Sequence, residues 1–143
     1  MKCSRGVVLK PDTTLDEVLQ QTFDMVVLPG GLPGADHLQE DPRVTGLVRG
    51  LAEKGAFTAA ICAAPKVLAS AGVLDGREVT AYPGILQADD LPGTRLLDQA
   101  VVSDGKVITS RGPGTAMDFA LALIEALEGR QARDAVEQPL VRA

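Results

Sequence analysis

Cys62 is the residue of this chain best placed to act as a strong nucleophile. It follows the apolar run Phe57-Thr58-Ala59-Ala60-Ile61 and precedes Ala63-Ala64-Pro65. A strand therefore turns at the cysteine directly into a helix with proline near its start, and the spacing predicts that helix to about Ala71, stopped by Gly72. A thiol in a first helical turn meets unsatisfied N–H groups and the positive end of the helix dipole. Both stabilise a negative sulfur, the form that attacks electrophiles and is oxidised. Ala60, Ala63 and Ala64 are small enough for a sharp bend that leaves the sulfur uncrowded, as a nucleophile elbow requires. The N–H groups of Gly31 and Ala63 are candidates for an oxyanion hole, or for holding an oxidised sulfinate. The opposing reading is a small buried core cysteine, the usual fate of a free thiol, and spacing alone leaves both open.

Other polar residues carry weaker signals. His37, the only histidine, sits in Ala35-Asp36-His37-Leu38 and reads as an exposed helix residue. Cys3, three residues from the start, reads as mobile and oxidisable without a catalytic role. With Cys3 and Cys62 far apart and no CxxC, neither a disulfide framework nor a zinc site is expected, and no cofactor is implied. The glycine-rich segments lack the lysine of a phosphate loop and the order of a dinucleotide fingerprint. Arg111 is placed to bind a carboxylate or sulfinate, or to pair with a surface acid, the commoner fate. Asp89-Asp90 reads as a solvated loop.

The elements that must position the cysteine follow from patterning. Val7-Val8-Leu9 is a short β-branched run, and Thr14 with Glu17 forms a capping box before a short helix. An apolar strand over residues 23–28 stops at Pro29-Gly30-Gly31-Leu32-Pro33-Gly34, which must turn sharply and present bare backbone. Asp41-Pro42 opens an amphipathic helix carrying Val44, Leu47, Val48 and Leu51. Glu78-Val79-Thr80 is a short strand leading to Tyr82-Pro83-Gly84. Val101-Val102 and Val107-Ile108-Thr109 flank Asp104-Gly105, a hairpin signal. After Ser110-Arg111-Gly112-Pro113-Gly114-Thr115 comes an apolar-faced helix over residues 116–128, then a short helix over 131–136. Apolar strands each followed by a Gly/Pro loop and a helix predict a doubly wound parallel sheet, with ligands beyond the carboxyl ends of the strands.

At 143 residues the chain is one domain, expected to bury roughly two-thirds of its unfolded surface. Only 3% of residues are aromatic, so Val, Leu, Ile and Ala must fill the core. The net charge of −5 and the lack of a basic run argue against direct nucleic-acid binding. No apolar run approaches the roughly 18 residues of a membrane helix, and the start lacks a signal peptide's apolar stretch. A soluble cytoplasmic protein is expected.

Three segments carry a resemblance to a known family. Ala59-Ala60-Ile61-Cys62-Ala63-Ala64-Pro65, Val27-Leu28-Pro29-Gly30-Gly31 and Thr109-Ser110-Arg111-Gly112-Pro113-Gly114-Thr115 resemble, in order and spacing, the signature segments of the ThiJ/PfpI family. The branch suggested by the resemblance is that of the parkinsonism-associated deglycase and its bacterial relatives, and the likeness runs from Cys3-Ser4-Arg5-Gly6 to Pro139-Leu140-Val141, essentially the whole of a single domain over residues 1–143. It implies a flavodoxin-like three-layer sandwich with a mostly parallel sheet, of the class I glutamine amidotransferase type. Cys62 would be the oxidisable nucleophile, Gly30, Gly31 and Ala63 the amide donors, and Tyr82, Arg111, Gly112 and Pro113 the pocket. The resemblance also implies glyoxalase or deglycase activity on methylglyoxal, a small 2-oxoaldehyde, or on its glycated adducts. The same resemblance implies peroxide sensing through a cysteine sulfinate, or chaperone activity.

Departures from the family pattern matter as well. The family sets a glutamate from an N-terminal helix against the cysteine, and the chain is expected to be N-terminally incomplete by a strand-helix-strand unit of about 30 residues. Family homodimers draw part of their interface from that unit, so weak self-association and an exposed edge on the 23–28 strand are expected. Cys3 matches a cysteine near that interface. Ala63 stands where the protease branch has histidine, and Tyr82 where some relatives have the histidine nearest the cysteine. A phenol is no base at neutral pH, although its hydroxyl can hydrogen-bond a substrate. An amidotransferase-like hydrolase would need a Cys-His-acid triad that the sequence does not display.

Overall fold

The computed structural model describes residues 1–142. Along the chain run α1 (Leu15–Val18), β1 (Met25–Leu28), α2 (Gly34–Glu40), α3 (Pro42–Glu53), β2 (Phe57–Ile61), α4 (Pro65–Ser70), β3 (Glu78–Val79), β4 (Arg95–Leu96), β5 (Val101–Asp104), β6 (Val107–Ser110), α5 (Ala116–Glu128) and α6 (Arg130–Glu137). The central sheet has the order β1-β2-β6-β5. β1, β2 and β6 are parallel, and β5 returns antiparallel beside β6.

Alternation along the buried strands divides the core into two halves, one on each face of the sheet. Leu28 and Ala60 pack with Val44 and Val48 of α3 and Val67 and Leu68 of α4. Ala59 and Ile108 face the other way, against Phe119 of α5. The result is the three-layer α/β sandwich of flavodoxin-like type with a mostly parallel sheet. Aliphatic side chains fill the middle: Val48, Val67, Leu68 and Leu74 are fully buried. Each such burial stabilises the fold by about 2 kcal/mol.

Helix starts follow local chemistry. The Asp41 carboxylate accepts the Arg43 N–H at 2.9 Å, and Pro42 occupies the first helical position of α3. Asp41 also ends α2, the helix on which His37 was expected and whose bounds the sequence pattern did not give. In α1 the Glu17 carboxylate reaches back to accept the Thr14 N–H at 3.0 Å and the Thr14 hydroxyl at 2.9 Å.

Other details depart from the pattern. The β5–β6 turn is centred on Gly105-Lys106, one residue later than Asp104-Gly105, because Asp104 still pairs with Val107. Gly105 supplies the positive φ, +58°, that so short a loop demands. Val7-Val8-Leu9 joins no sheet. It folds back on the first residues, with the Cys3 N–H donating to Val7 O at 2.7 Å and the Leu9 N–H to Met1 O at 2.9 Å. β3 finds a two-residue parallel partner in β4, too short to show a period. Among the described residues β1 has no strand on its outer side, and Val27 is 43% exposed.

The α1 cap yields a pH prediction. Hydrogen bonds from the Thr13 hydroxyl, then from the Thr14 N–H and hydroxyl, lower the Glu17 carboxyl from 4.5 to about 2. Because the folded value is depressed, the support Glu17 gives α1 is fully present above about pH 4.5 and lost as pH falls towards 2. An NMR titration of the Glu17 side chain should place its midpoint well below the free value, and α1 amide shifts should move with it. A midpoint near 4.5 would show that the cap does not form.

Candidate active site

β2 ends at Ile61 and the chain bends at once. Cys62 has φ +64°, a left-handed conformation that costs a non-glycine residue about 1–2 kcal/mol. Two backbone hydrogen bonds hold it there. The Cys62 N–H donates to Ser110 O at the end of β6 at 2.9 Å, and the Tyr82 N–H donates to Cys62 O at 2.9 Å.

The third restraint is steric. A Cβ on Gly30 would stand 2.5 Å from Cys62 Cβ, 2.7 Å from Ile61 O and 3.2 Å from Ala63 N. The end of β1 thus passes directly against the elbow, and only glycine fits. Gly31 follows with φ +89°, and its carbonyl accepts the Ala35 N–H at 2.8 Å, turning the chain into α2.

Cys62 itself does not lie in the first turn of α4. The Ala64 N–H donates to Ile61 O at 3.1 Å, closing a turn that must be completed before the helix starts at Pro65. The expected position in the helix is corrected accordingly. The bend and its loop amides, rather than the short helix, form the immediate surroundings of the thiol. Cys62 is half-buried and free, and among the described residues no side chain hydrogen-bonds its sulfur. Ala63 is buried beside it. The N–H groups of Gly30, Gly31 and Ala63 have no protein acceptor among the described residues, whereas those of Cys62 and Ala64 do.

Of the remaining candidates, Tyr82 is joined to Cys62 through its backbone, and its half-exposed ring packs on Gly112. A Cβ there would lie 3.4 Å from Tyr82 Cδ2. Pro113 is exposed and opens a single turn of 3-10 helix, Pro113–Thr115. The Arg111 guanidinium pairs with Asp98, and its N–H donates to Ala100 O at 3.3 Å. Thr80, Tyr82, Leu97, Asp98 and Arg111 help to wall a hollow of about 270 Å³ beside the elbow. Larger hollows of about 780 and 530 Å³ open at the amino ends of the strands, opposite Cys62. His37 is exposed on α2, and Cys3 lies in the folded-back arm. Among the described residues no cluster of three or more His, Cys, Asp or Glu is placed to hold a metal ion.

Sequence reasoning missed the hydroxyl groups beneath the elbow. Thr109, fully buried, accepts the Thr80 N–H at 2.9 Å. Ser110, also fully buried, donates through its hydroxyl to Ala100 O at 2.7 Å and lies 2.6 Å from the Thr115 hydroxyl. Two consecutive polar residues ending an apolar strand were the available signal.

A cysteine bent out of a parallel strand, over a glycine loop and ahead of a helix, defines a nucleophile-elbow α/β protein. The sequence matches the DJ-1/PfpI family over residues 1–126, and the chain belongs to that family. It is 45% identical to Protein dj-1beta of Drosophila melanogaster over 143 residues, covering 100% of this chain and 76% of that protein. It is 38% identical to the Glutathione-independent glyoxalase DJR-1.2 of Caenorhabditis elegans, with the same coverage. The crystal structure of Drosophila melanogaster DJ-1beta superposes with a TM-score of 0.91 over 99% of this chain and 76% of that one. Oxidized Toxoplasma gondii DJ-1, 34% identical, superposes with a TM-score of 0.92 over 99% of this chain and 77% of that one.

Two substitutions test the elbow. Gly30→Ala should destabilise the fold by about 3 kcal/mol, since the new methyl group meets backbone that cannot move aside. Cys62→Gly should be more stable than Cys62→Ala by about 0.5–1 kcal/mol, the relief of the left-handed strain less the extra freedom of glycine in the unfolded chain. Chemical denaturation measures both. A silent Gly30→Ala, or an alanine variant more stable than the glycine one, would contradict the geometry.

Proposed function

We propose that this protein is a DJ-1-type, cysteine-dependent stress-response protein, located in the cytoplasm, whose Cys62 attacks small 2-oxoaldehydes such as methylglyoxal or their glycated adducts. The observation that carries the reading is the left-handed Cys62 wedged on Gly30, which presents a thiol among backbone amides without a protein acceptor. The 38% identity to a protein named as a glutathione-independent glyoxalase supports the same chemistry.

The Cys62 thiolate adds to the aldehyde carbon, and the amides of Gly30, Gly31 and Ala63 stabilise the alkoxide that forms. Protonation yields a hemithioacetal. Moving one proton from C1 to C2 and another from the C1 oxygen to the C2 oxygen converts it to a thioester, and water then cleaves the thioester to lactate and regenerates the thiol. Methylglyoxal plus water equals lactate, so no external oxidant or reductant is needed. In this reading Tyr82, whose ring packs on Gly112, and the adjoining Pro113 form the pocket wall, and Arg111 binds a carboxylate when it exchanges its Asp98 partner.

A second reading is a redox sensor or chaperone in which Cys62 is oxidised to the sulfinate and catalysis plays no part. It is favoured by the lack, among the described residues, of a side chain bonded to the sulfur that would move the proton from C1 to C2. The solved Toxoplasma gondii relative is described as oxidized.

Lactate production from methylglyoxal by the purified protein separates the two readings. The enzyme reading predicts turnover that Cys62→Ser reduces to background and Cys3→Ser leaves unchanged. Lactate formed equally by Cys62→Ser would overturn the assignment of Cys62. No lactate from the unsubstituted protein would leave the sensor as the surviving reading.

A further inference from the structure

We propose that Ser110 and Thr115 are positioning residues whose hydroxyl chain holds Cys62 in its left-handed conformation. The functional half of this inference rests on the reading of Cys62 as the reactive thiol. The structural half stands on the hydrogen bonds themselves.

The last two residues of β6 control both sides of the elbow. The Ser110 carbonyl accepts the Cys62 N–H, while the Thr109 hydroxyl holds the Thr80 N–H and so fixes the segment whose Tyr82 N–H reaches Cys62 O. At Ser110 the ladders end: the Ser110–Arg111 peptide is held on one side by the Cys62 N–H and on the other by a long backbone bond, from the Arg111 N–H to Ala100 O at 3.3 Å. The Ser110 hydroxyl adds a shorter bond, 2.7 Å, to the same Ala100 carbonyl.

The protons along the chain can be assigned without conflict. The Gly112 N–H donates to Thr115 Oγ1 at 3.1 Å, the Thr115 hydroxyl lies 2.6 Å from Ser110 Oγ, and the Ser110 hydroxyl donates to Ala100 O at 2.7 Å. Each hydroxyl gives one proton and receives one, so both are satisfied in a single direction. With its one proton given to Ser110, the Thr115 hydroxyl does not donate to Gly112 O, 3.0 Å away; the Thr115 N–H donates to that carbonyl at 3.0 Å and closes the loop that places Gly112 under the Tyr82 ring. Ala100 O receives the Arg111 N–H as well, so one carbonyl before β5 anchors both Ser110 and the pocket wall.

Without this chain the Ser110–Arg111 peptide keeps only the 3.3 Å bond to Ala100 O, and the Ser110 carbonyl is held less firmly. The acceptor that opposes the Cys62 strain is then weakened, and the Cys62 backbone can relax towards negative φ. The sulfur would move relative to the amides of Gly30 and Ala63. Displacements on the order of 1 Å at a reacting group can cost about 10²-fold in rate.

The test uses Thr115→Val, which keeps the shape and removes the hydroxyl, Ser110→Ala, and Thr115→Ser, which restores the hydroxyl. Hydrogen exchange at the Cys62 amide reads the elbow directly. Iodoacetamide alkylation of Cys62 across pH, in a Cys3→Ser background, reads its reactivity. Thr115→Val and Ser110→Ala should speed Cys62 amide exchange by about tenfold or more and leave Ala59 and Ala60 of β2 within about twofold. Both should slow alkylation at neutral pH by about tenfold, and Thr115→Ser should recover wild-type values.

Unchanged Cys62 protection in both variants would overturn the proposal. So would faster exchange spread equally over Cys62, Ala59 and Ala60, the mark of general loosening. If Cys62 of the unsubstituted chain reacts no faster than Cys3, the reactive-thiol reading fails, and the exchange data still decide whether the hydroxyls hold the elbow.

Discussion

The left-handed backbone of Cys62 is the constraint around which the fold is arranged. Its cost of about 1–2 kcal/mol is small beside the total stability of a domain, yet it relaxes wherever the surroundings allow. Three separate segments prevent that. Gly30 at the end of β1 fills the space below, Ser110 at the end of β6 holds the amide, and Tyr82 beyond β3 holds the carbonyl. They meet at one point because β1, β2 and β6 run parallel, so their carboxyl ends and the following loops lie on the same edge of the sheet.

Residue size links the core to the site. The strand leading into the elbow carries Ala59 and Ala60, both fully buried, one facing each helical layer. Side chains this small let the flanking elements approach β2 closely, while Val48, Val67, Leu68 and Leu74 supply the buried volume. Bulkier strand residues would push α3, α4 and α5 outward. The same economy continues through Ala63 and Ala64, where the chain must double back in three residues before α4 begins. Packing that is tight on both faces is what allows a strained conformation to persist at the edge.

Much of this was legible in the sequence where local rules decide the outcome. The strand Phe57–Ile61, the cap at Asp41-Pro42 and the capping box at Thr14 and Glu17 all follow from residue type and spacing. The glycine loop beside Cys62 was legible through its resemblance to a family. Spacing misplaced the start of α4 because Ala64 is as acceptable in a turn as in a helix. The pairing of β3 with β4 involves two residues each, too few to leave a pattern. The hydroxyl chain from Thr115 to Ala100 depends on how the loop closes in three dimensions, and Ser and Thr carry no sequence mark of the partners they will find. Arg111 takes the commoner of the two fates its type allowed, pairing with the surface acid Asp98, and only the identity of that acid carried no sequence mark.

The central claim is that the bent backbone makes Cys62 the reactive thiol of this chain. Peptide mass spectrometry after stepwise addition of hydrogen peroxide tests it most directly, because Cys3 serves as an internal reference in the same sample. Both thiols are free and both are half-buried, so burial alone does not favour either. The account predicts that Cys62 passes to the sulfinate while Cys3 remains largely unmodified. Oxidation of Cys3 first, or the two at equal rates, would contradict it.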